Sequence, residues 1–331
     1  MKAGTLIYNP VAGRNPAKRE RQVQAAGAVL EAQGIQVRLA RTVGPGSATE
    51  LARAAVAAGD ELVVACGGDG TIYEVINGLS PSPIPLAILP GGTGNIIAKE
   101  LGLPHHPVRA AQEFHRWLPR RIALGRVTGM PLARSGGAEK VERYFLSVAG
   151  VGFDAYVIHR LGFRFKMSLG VAAYVLEGMR QVMRYPFHPI ICEADGRTLG
   201  ATFAIVQRTS RYAGWFRTAP TQSITKPHFG VALFRSRRRL RYFIYGAAVL
   251  TQRRLADIDL LETRKLTFAA ERAGAEVFFE LDGELAGTLP ATFEVAPDAL
   301  TLLLPETAFP GAPSGGLRPR DGSGPRHAEN A

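Results

Sequence analysis

The sequence has little cysteine: two in 331 residues, Cys66 and Cys192. Two thiols so far apart exclude a disulfide framework and a cysteine-based zinc site. Cys66, inside the apolar run ELVVAC, reads as a small buried side chain, and a reducing compartment fits. Long apolar runs are missing as well. The longest candidate, YFIYGAAVL, is half of the roughly 18–20 residues a membrane span needs. The opening MKAGTLIYNP enters a strand-like run at once, without the apolar core and cleavage site of a secretory signal. The expectation is a cytoplasmic chain, peripheral at most on the inner membrane face. Acid is in deficit, with 28 Asp and Glu against 40 Lys and Arg and a net charge of +12. That balance favours anionic partners. Without zinc-finger spacing, an RRM aromatic signature or a heptad-backed basic helix, nucleic acid is not the expected one. The clusters RSRRRLR (235–241) and QRR (252–254) read either as a solvated basic face or as a surface for anionic lipid, at about 1 kcal/mol per well-placed cation. Two nucleotide signatures are also missing: no G-x-G-x-x-G follows the first strand and no G-x-x-x-x-G-K-[ST] occurs.

What is present begins with an alternation of strand and helix signals. GTLIYNP reads as a strand, residues 16–33 as an amphipathic helix with Pro16 in its first turn, IQVRLART as a strand, and SATELARAAVAAG as a helix with Ser47 as N-cap. ELVVAC and IPLAILP read as buried strands, TIYEVINGL and NIIAKELGL as the helices after them. This order predicts a doubly wound parallel sheet, with ligands at the carboxyl ends of its strands. From about residue 121 strand-like runs dominate, among them YFLSVAGVGF, ATFEVAP and LTLLLP, interrupted by a helical hairpin at about 159–184 and a helix at 239–253, which predicts an antiparallel β-rich second domain. HH at 105–106, ahead of Pro107, reads as loop. The tail from 306 is rich in Pro, Gly, Ser and charge and reads as disordered. The expected division is residues 1–122, then 123–295, with the strand at about 296–305 returning to the first domain and 306–331 as the tail.

Two glycine turns stand where a strand hands over to a helix: GGDGT (67–71) and GGTGN (91–95). Free backbone N–H groups at such junctions, with the helix dipole, make an anion site. Glycine removes the Cβ atoms that would block a phosphate, and Thr71, Thr93 and Asn95 can add hydrogen bonds. A carboxylate among phosphates demands a cation between them, so Asp69 points to Mg²⁺. Asp282, after EVFFEL and before Gly283, should sit at a strand end, where DG also reads as a plain hairpin turn.

Taken together, NP-x-x-G (Asn9, Pro10, Gly13), GGDGTIYEVINGL, PGGTGNIIAKELGLP, GVGFDAYV, RYAGWFRTAP and ELDGELAGTLP resemble, in order and over nearly the whole chain except the tail, the diacylglycerol kinase and sphingosine kinase catalytic-domain superfamily, most closely its soluble bacterial lipid kinases. The resemblance implies a Rossmann-like, NAD kinase/phosphofructokinase-like α/β domain, a C-terminal antiparallel β-sandwich, and a nucleotide pocket between them. It implies a lipid kinase using ATP and Mg²⁺ on a diacylglycerol-like or long-chain-base lipid. Residue by residue, it places Asn9, Thr42, Gly67, Gly68, Gly70, Thr71, Gly92, Thr93, Gly94 and Asn95 at the nucleotide, Asp69 and Glu284 at the metal, Asp282 and Asp69 as catalytic, and Asp154 near the lipid head group. A homodimer is left open.

The chain also departs from this pattern. Relatives commonly carry a glycine triplet where Ala213, Gly214 and Trp215 stand, and an acidic DDG-x-L-D stretch where residues 225–230 read TKPHFG, without a carboxylate. Those acids help hold an accessory metal in some members, so that metal is not expected here. In the hairpin, Leu161, Phe163, Phe165, Met167 and Leu169 alternate with Arg160, Arg164 and Lys166, which suits either packing on the β-domain or a membrane-facing entrance for acyl chains. The readings that compete with a lipid kinase are an NAD kinase-type enzyme, which PGGTGN and GFDA speak against, and a nucleotide-binding regulatory protein that has lost catalysis.

Overall fold

The computed structural model describes residues 1–13, 15–132, 139–160, 177–210, 222–251 and 255–308. The segments 161–176 of the hairpin, 211–220, QRR at 252–254 and the tail from 309 lie outside the described residues.

The first half builds β1 (Ala3–Tyr8), α1 (Pro16–Ala32), β2 (Gln36–Arg41), α2 (Ser47–Ala57), β3 (Val63–Gly67), α3 (Asp69–Leu79), β4 (Leu86–Pro90), α4 (Ile96–Glu100) and α5 (Pro107–Glu113). The strands pair in parallel in the order β4-β3-β1-β2. β3 and β4 are buried at every position, VVACG and LAILP, as strands covered on both faces must be. The tight packing of α2 on α3 explains one residue of EVINGL. A Cβ on Gly78 would lie 2.6 Å from the Cβ of Ala52 and closer still to the carbonyl of Thr49, so no larger residue fits there. Ser47 is not the cap of α2. Gly46 stands there at φ +83°, and the Ser47 hydroxyl instead accepts the N–H groups of Val43 and Gly44 in the preceding turn. Glu74 of α3 caps α2 from outside, accepting from Gly46 (2.8 Å) and Ala48 (3.0 Å). HH at 105–106 is loop, and α5, which was not read from the sequence, starts directly after it at Pro107.

The second half adds β5 (Trp117–Met130), β6 (Val141–Phe145), β7 (Val148–Gly152), β8 (Ile190–Ala194), β9 (Arg197–Ala201), β10 (Phe203–Gln207), β11 (Phe229–Phe234), α6 (Arg239–Thr251), β12 (Ile258–Thr263), β13 (Lys265–Ala270), β14 (Phe278–Leu281) and β15 (Glu284–Pro305). One layer runs β12-β11-β10-β7-β14-β15, all antiparallel. The other runs β9-β8-β13-β15-β5-β6. A core of Phe145, Phe229, Phe268, Phe279 and Phe293 fills the space between them. β12 was not read from the sequence, and ATFEVAP and LTLLLP prove to be parts of one strand, β15.

β15 decides the architecture. Its start pairs with β14, its middle with β13 and β5, and Leu302 pairs in parallel with Leu86 of β4. Leu289, Ala291 and Phe293 therefore lie in the sandwich core, while Leu300, Leu302, Leu303 and Leu304 lie in the core of the α/β half. β5 runs beside it and does the same, with Ile122 and Leu124 in one core and Val127 in the other. The line between residues 122 and 123 thus falls inside a strand.

Candidate active site

The carboxyl ends of β1 to β4 open on one edge of the parallel sheet, and Asn9, Thr42, Gly67 to Thr71 and the 91–95 turn follow them directly. Asn9 closes a turn on itself, its Oδ1 accepting from Val11 N–H (3.0 Å), and ties to β3 by donating its own N–H to Cys66 (3.2 Å). Thr42 is buried and donates its N–H to Tyr8 (2.9 Å). The two glycine turns lie back to back, with Gly91 N–H donating to Gly67 carbonyl at 2.7 Å. A Cβ on Gly92 would stand 2.5 Å from Gly68 Cα, and one on Gly91 3.0 Å from Gly67 N. The first demand on these glycines is therefore each other, and the bare backbone they leave is a result of that contact. Asn95 sits at φ +47°, and its amide folds back on the turn, accepting from Gly92 N–H (2.8 Å) and donating to Gly92 carbonyl (3.0 Å). Thr71 packs against Gly67, and Thr93 is exposed.

Asp69 joins the two turns. It starts α3, and its Oδ1 accepts the N–H of Ile97 in α4 (3.0 Å), while Oδ2 faces Gly94. Glu284 reaches the same place from the other half: a Cβ on Gly70 would meet its Oε1 at 2.7 Å. Asp282 and Gly283 form the two-residue turn between β14 and β15, both at positive φ (+49° and +84°), the pattern of a tight twisted hairpin. The turn and the functional reading thus coincide in one residue. The Asp282 carboxylate accepts three backbone N–H groups, Leu146 on Oδ2 (2.7 Å) and Ser147 (2.8 Å) and Val148 (3.0 Å) on Oδ1. These amides are free because YFLSVAGVGF, read as one run, breaks into β6 and β7 at Leu146–Ser147. A carboxylate offers about four acceptor sites, so one direction on Oδ2 remains. Burial raises the Asp282 carboxyl to about 6, with the charge of Asp69 adding to the rise and the three N–H groups opposing it.

Three positioning residues were not singled out from the sequence. Asn77 of α3 clamps the β6 backbone, accepting from Tyr144 N–H (2.8 Å) and donating to Tyr144 carbonyl (2.9 Å). It therefore ties the helix of Asp69 to the segment that receives Asp282. Glu280, buried, accepts Gly283 N–H at 2.6 Å and fixes the turn. Arg19, also buried, donates to the carbonyls of Ala12 (3.2 Å) and Gly91, joining the NP-x-x-G loop to the second glycine turn. Asn77 and Glu280 had a signal, their places inside GGDGTIYEVINGL and ELDGELAGTLP; Arg19 had none. Asp154 is buried against Gly150, which pairs with Glu280 across β7 and β14. It stands beside the site, on the face of β7 that the helical residues 153–160 cover. Among the described residues no group of three or more His, Cys, Asp or Glu is placed to hold a metal alone.

Residues 3–127 match the diacylglycerol kinase catalytic domain, and residues 147–304 match the YegS C-terminal NAD kinase beta sandwich-like domain. The chain carries the diacylglycerol kinase catalytic domain. It is 28% identical to the diacylglycerol kinase of Bacillus subtilis (strain 168), over 88% of this chain and 93% of that one. It is 27% identical to the diacylglycerol kinase of Mycobacterium tuberculosis (strain H37Rv), over 91% and 94%. The solved structure of a diacylglycerol kinase from Bacillus anthracis str. Sterne shares the fold, with a TM-score of 0.66 at 20% identity, over 93% of this chain and 98% of that one. The catalytic domain makes this chain a lipid kinase, and the two halves it comprises meet where Asp69, Glu284 and Asp282 converge.

Two implied metals can be weighed against these residues. At the glycine turns the donors fit: two carboxylates, Asp69 and Glu284, beside bare backbone, as Mg²⁺ held with phosphates requires. At 225–230 they do not fit. The segment has no carboxylate, and a cationic side chain, Arg208, already bonds the carbonyls of Ile224 and Lys226.

Proposed function

We propose that this kinase uses ATP and Mg²⁺ to phosphorylate a hydroxyl of a diacylglycerol-like or long-chain-base lipid. The observation that carries the reading is the meeting of Asp69, Glu284 and Asp282 at two joined glycine turns. Phosphoryl transfer asks for phosphates to be positioned, their charge neutralised and the acceptor's proton received. The N–H groups at the start of α3 and those of the two glycine turns that are not spent inside the turns cradle phosphates. Asp69 and Glu284 would hold the metal, which neutralises phosphate charge when bound. Asp282 takes the acceptor proton on the open side of Oδ2, with its other acceptor sites occupied by the backbone. Asp154 lines the approach of the head group.

The partner that supplies the lipid is an anionic membrane. α6 turns Leu240 (72% exposed), Phe243 (40%) and Ile244 (45%) outward next to Arg237, Arg238 and Arg239, while its Tyr242 and Tyr245 anchor it to the body. Such a face suits apolar insertion with cations at the head groups. No helix among the described residues is long and apolar enough to cross a membrane.

The test is transfer of ³²P from [γ-³²P]ATP, with Mg²⁺, into a total bacterial lipid extract separated by thin-layer chromatography. A labelled lipid that vanishes in Asp282→Asn supports the reading and identifies the acceptor class. No label, with ATP still bound, removes it in favour of a regulatory nucleotide-binding role.

A further inference from the structure

The largest fully buried side chain in the described residues is a cation. Arg208 follows β10 and is 0% exposed. Its backbone N–H donates to the carbonyl of Ser147 (2.8 Å), one of the residues that receive Asp282. Its Nη2 donates to the carbonyls of Ile224 (2.7 Å) and Lys226 (3.3 Å), whereas Nε and Nη1 meet no acceptor among the described residues. No carboxylate pairs with it there, and burial alone pulls its pKa down to about 10, which leaves it charged at neutral pH. An unpaired buried charge is costly and persists only where the surroundings use it. Here it turns two backbone carbonyls of the segment 222–228 inward, the bonds that a hard cation would otherwise make with carbonyl oxygens. The same segment lacks the acids that would hold such an ion: residues 222–230 read QSITKPHFG. A divalent ion placed at the carbonyls of Ile224 and Lys226 would meet a guanidinium of like charge and no carboxylate of the segment itself; the nearby acid, Glu262 of β12, is engaged with His228 (3.7 Å) and Gln222 (3.5 Å).

We propose that the Arg208 guanidinium is the built-in cation of the 222–228 segment, replacing an accessory metal, so that the β-rich half keeps its active form without a divalent ion of its own. The segment holds its shape through a covalently tethered charge that chelators cannot remove. Because Arg208 also bonds Ser147, it couples that segment to the turn that seats Asp282. The assignment of an accessory site in relatives comes from the family; the metal-free segment is the property of this chain and does not depend on which lipid is phosphorylated.

Hydrogen exchange of the full chain without nucleotide tests it, read over residues 222–228 in excess EDTA and in millimolar Mg²⁺. The wild type should show the same protection in both. Arg208→Met, which keeps the side-chain bulk and removes the charge, should lose protection there by about tenfold or more, the cost of one charge-assisted hydrogen bond, equally in EDTA and Mg²⁺. Wild-type protection that falls in EDTA overturns the proposal, because a divalent ion then holds the segment. So does an Arg208→Met variant with unchanged protection. If Arg208→Met does not fold, the EDTA comparison on the wild type still decides. Neither readout involves ATP, so failure of the kinase reading leaves this result standing.

Discussion

The Asp282 carboxyl is held by opposing effects, and their balance gives a pH dependence. Its folded-state value of about 6 lies above the usual 3.8. Protonation therefore favours the folded state, and that contribution, present below pH 3.8, is lost as pH rises through about 6. The catalytic form is the ionised one, so turnover should climb through pH 6 and level off above it. Asp69→Asn removes a charge that contributes to the rise, so the acid limb of its residual kcat/KM profile should move to lower pH. An unmoved limb separates the two carboxylates. Asp282→Asn should lower kcat by roughly 10² to 10⁴-fold, the usual scale of a general base. It also leaves one of three N–H groups facing an amide donor, which costs roughly 1–3 kcal/mol of stability. Asparagine tolerates the left-handed backbone at this turn, so the variant should fold, with ATP affinity little changed by equilibrium dialysis. Two glycines separate site from scaffold. Gly70→Ala presses on Glu284 Oε1, the far end of a long side chain, and should raise the Mg²⁺ concentration needed for half-maximal rate with little loss of Tm. Gly92→Ala presses on the Gly68 backbone and should lower Tm sharply.

At the scale of elements, α3 is the connector. Its N-terminal Asp69 belongs to the site, Glu74 caps α2, and Asn77 grips β6. Asn77→Ala removes two bonds to the Tyr144 backbone and leaves that N–H and carbonyl seeking new partners. The expected result is a loss of roughly 1–3 kcal/mol in urea unfolding and a fall in kcat larger than the change in KM for ATP, since α3 and the Asp282 receptor then move apart. Equal effects on both constants would place Asn77 in simple stability. α6 carries the corresponding prediction for the membrane: Leu240→Glu with Phe243→Glu should abolish co-sedimentation with phosphatidylglycerol vesicles while melting with the wild type, because these side chains are exposed. Retained binding would move the contact elsewhere.

At the scale of the whole molecule, β5 and β15 make two cores interdependent. A chain stopped at residue 298 lacks Leu300, Leu302, Leu303 and Leu304, each at 1% exposure or less. At about 1.5–3 kcal/mol per buried leucine, this loss rivals the roughly 5–15 kcal/mol that keeps a domain folded. Such a truncation should give no cooperative thermal transition by circular dichroism, and a sharp one would show that β15 is dispensable to the α/β half.

The sequence by itself determined the local chemistry. Strand–helix alternation, two glycine turns and a DG hairpin are written in contiguous residues, because backbone conformation answers to nearest neighbours, and they brought Asp69, Gly70 and Asp282 to notice; Glu284 came only with the family resemblance. What it withheld was long-range. That β15 is one strand serving two cores, that the glycines are spent on each other, that YFLSVAGVGF breaks to expose three N–H groups, and that Arg208 and Arg19 are buried cations beneath the loops all depend on partners more than ten residues away or on packing that no local period encodes. Ser47 was misread for a local reason instead: a serine before a helix fits the cap, but the turn three and four residues before it takes the hydroxyl. Residue type set what each group can do, and tertiary contact set which of those groups face one another.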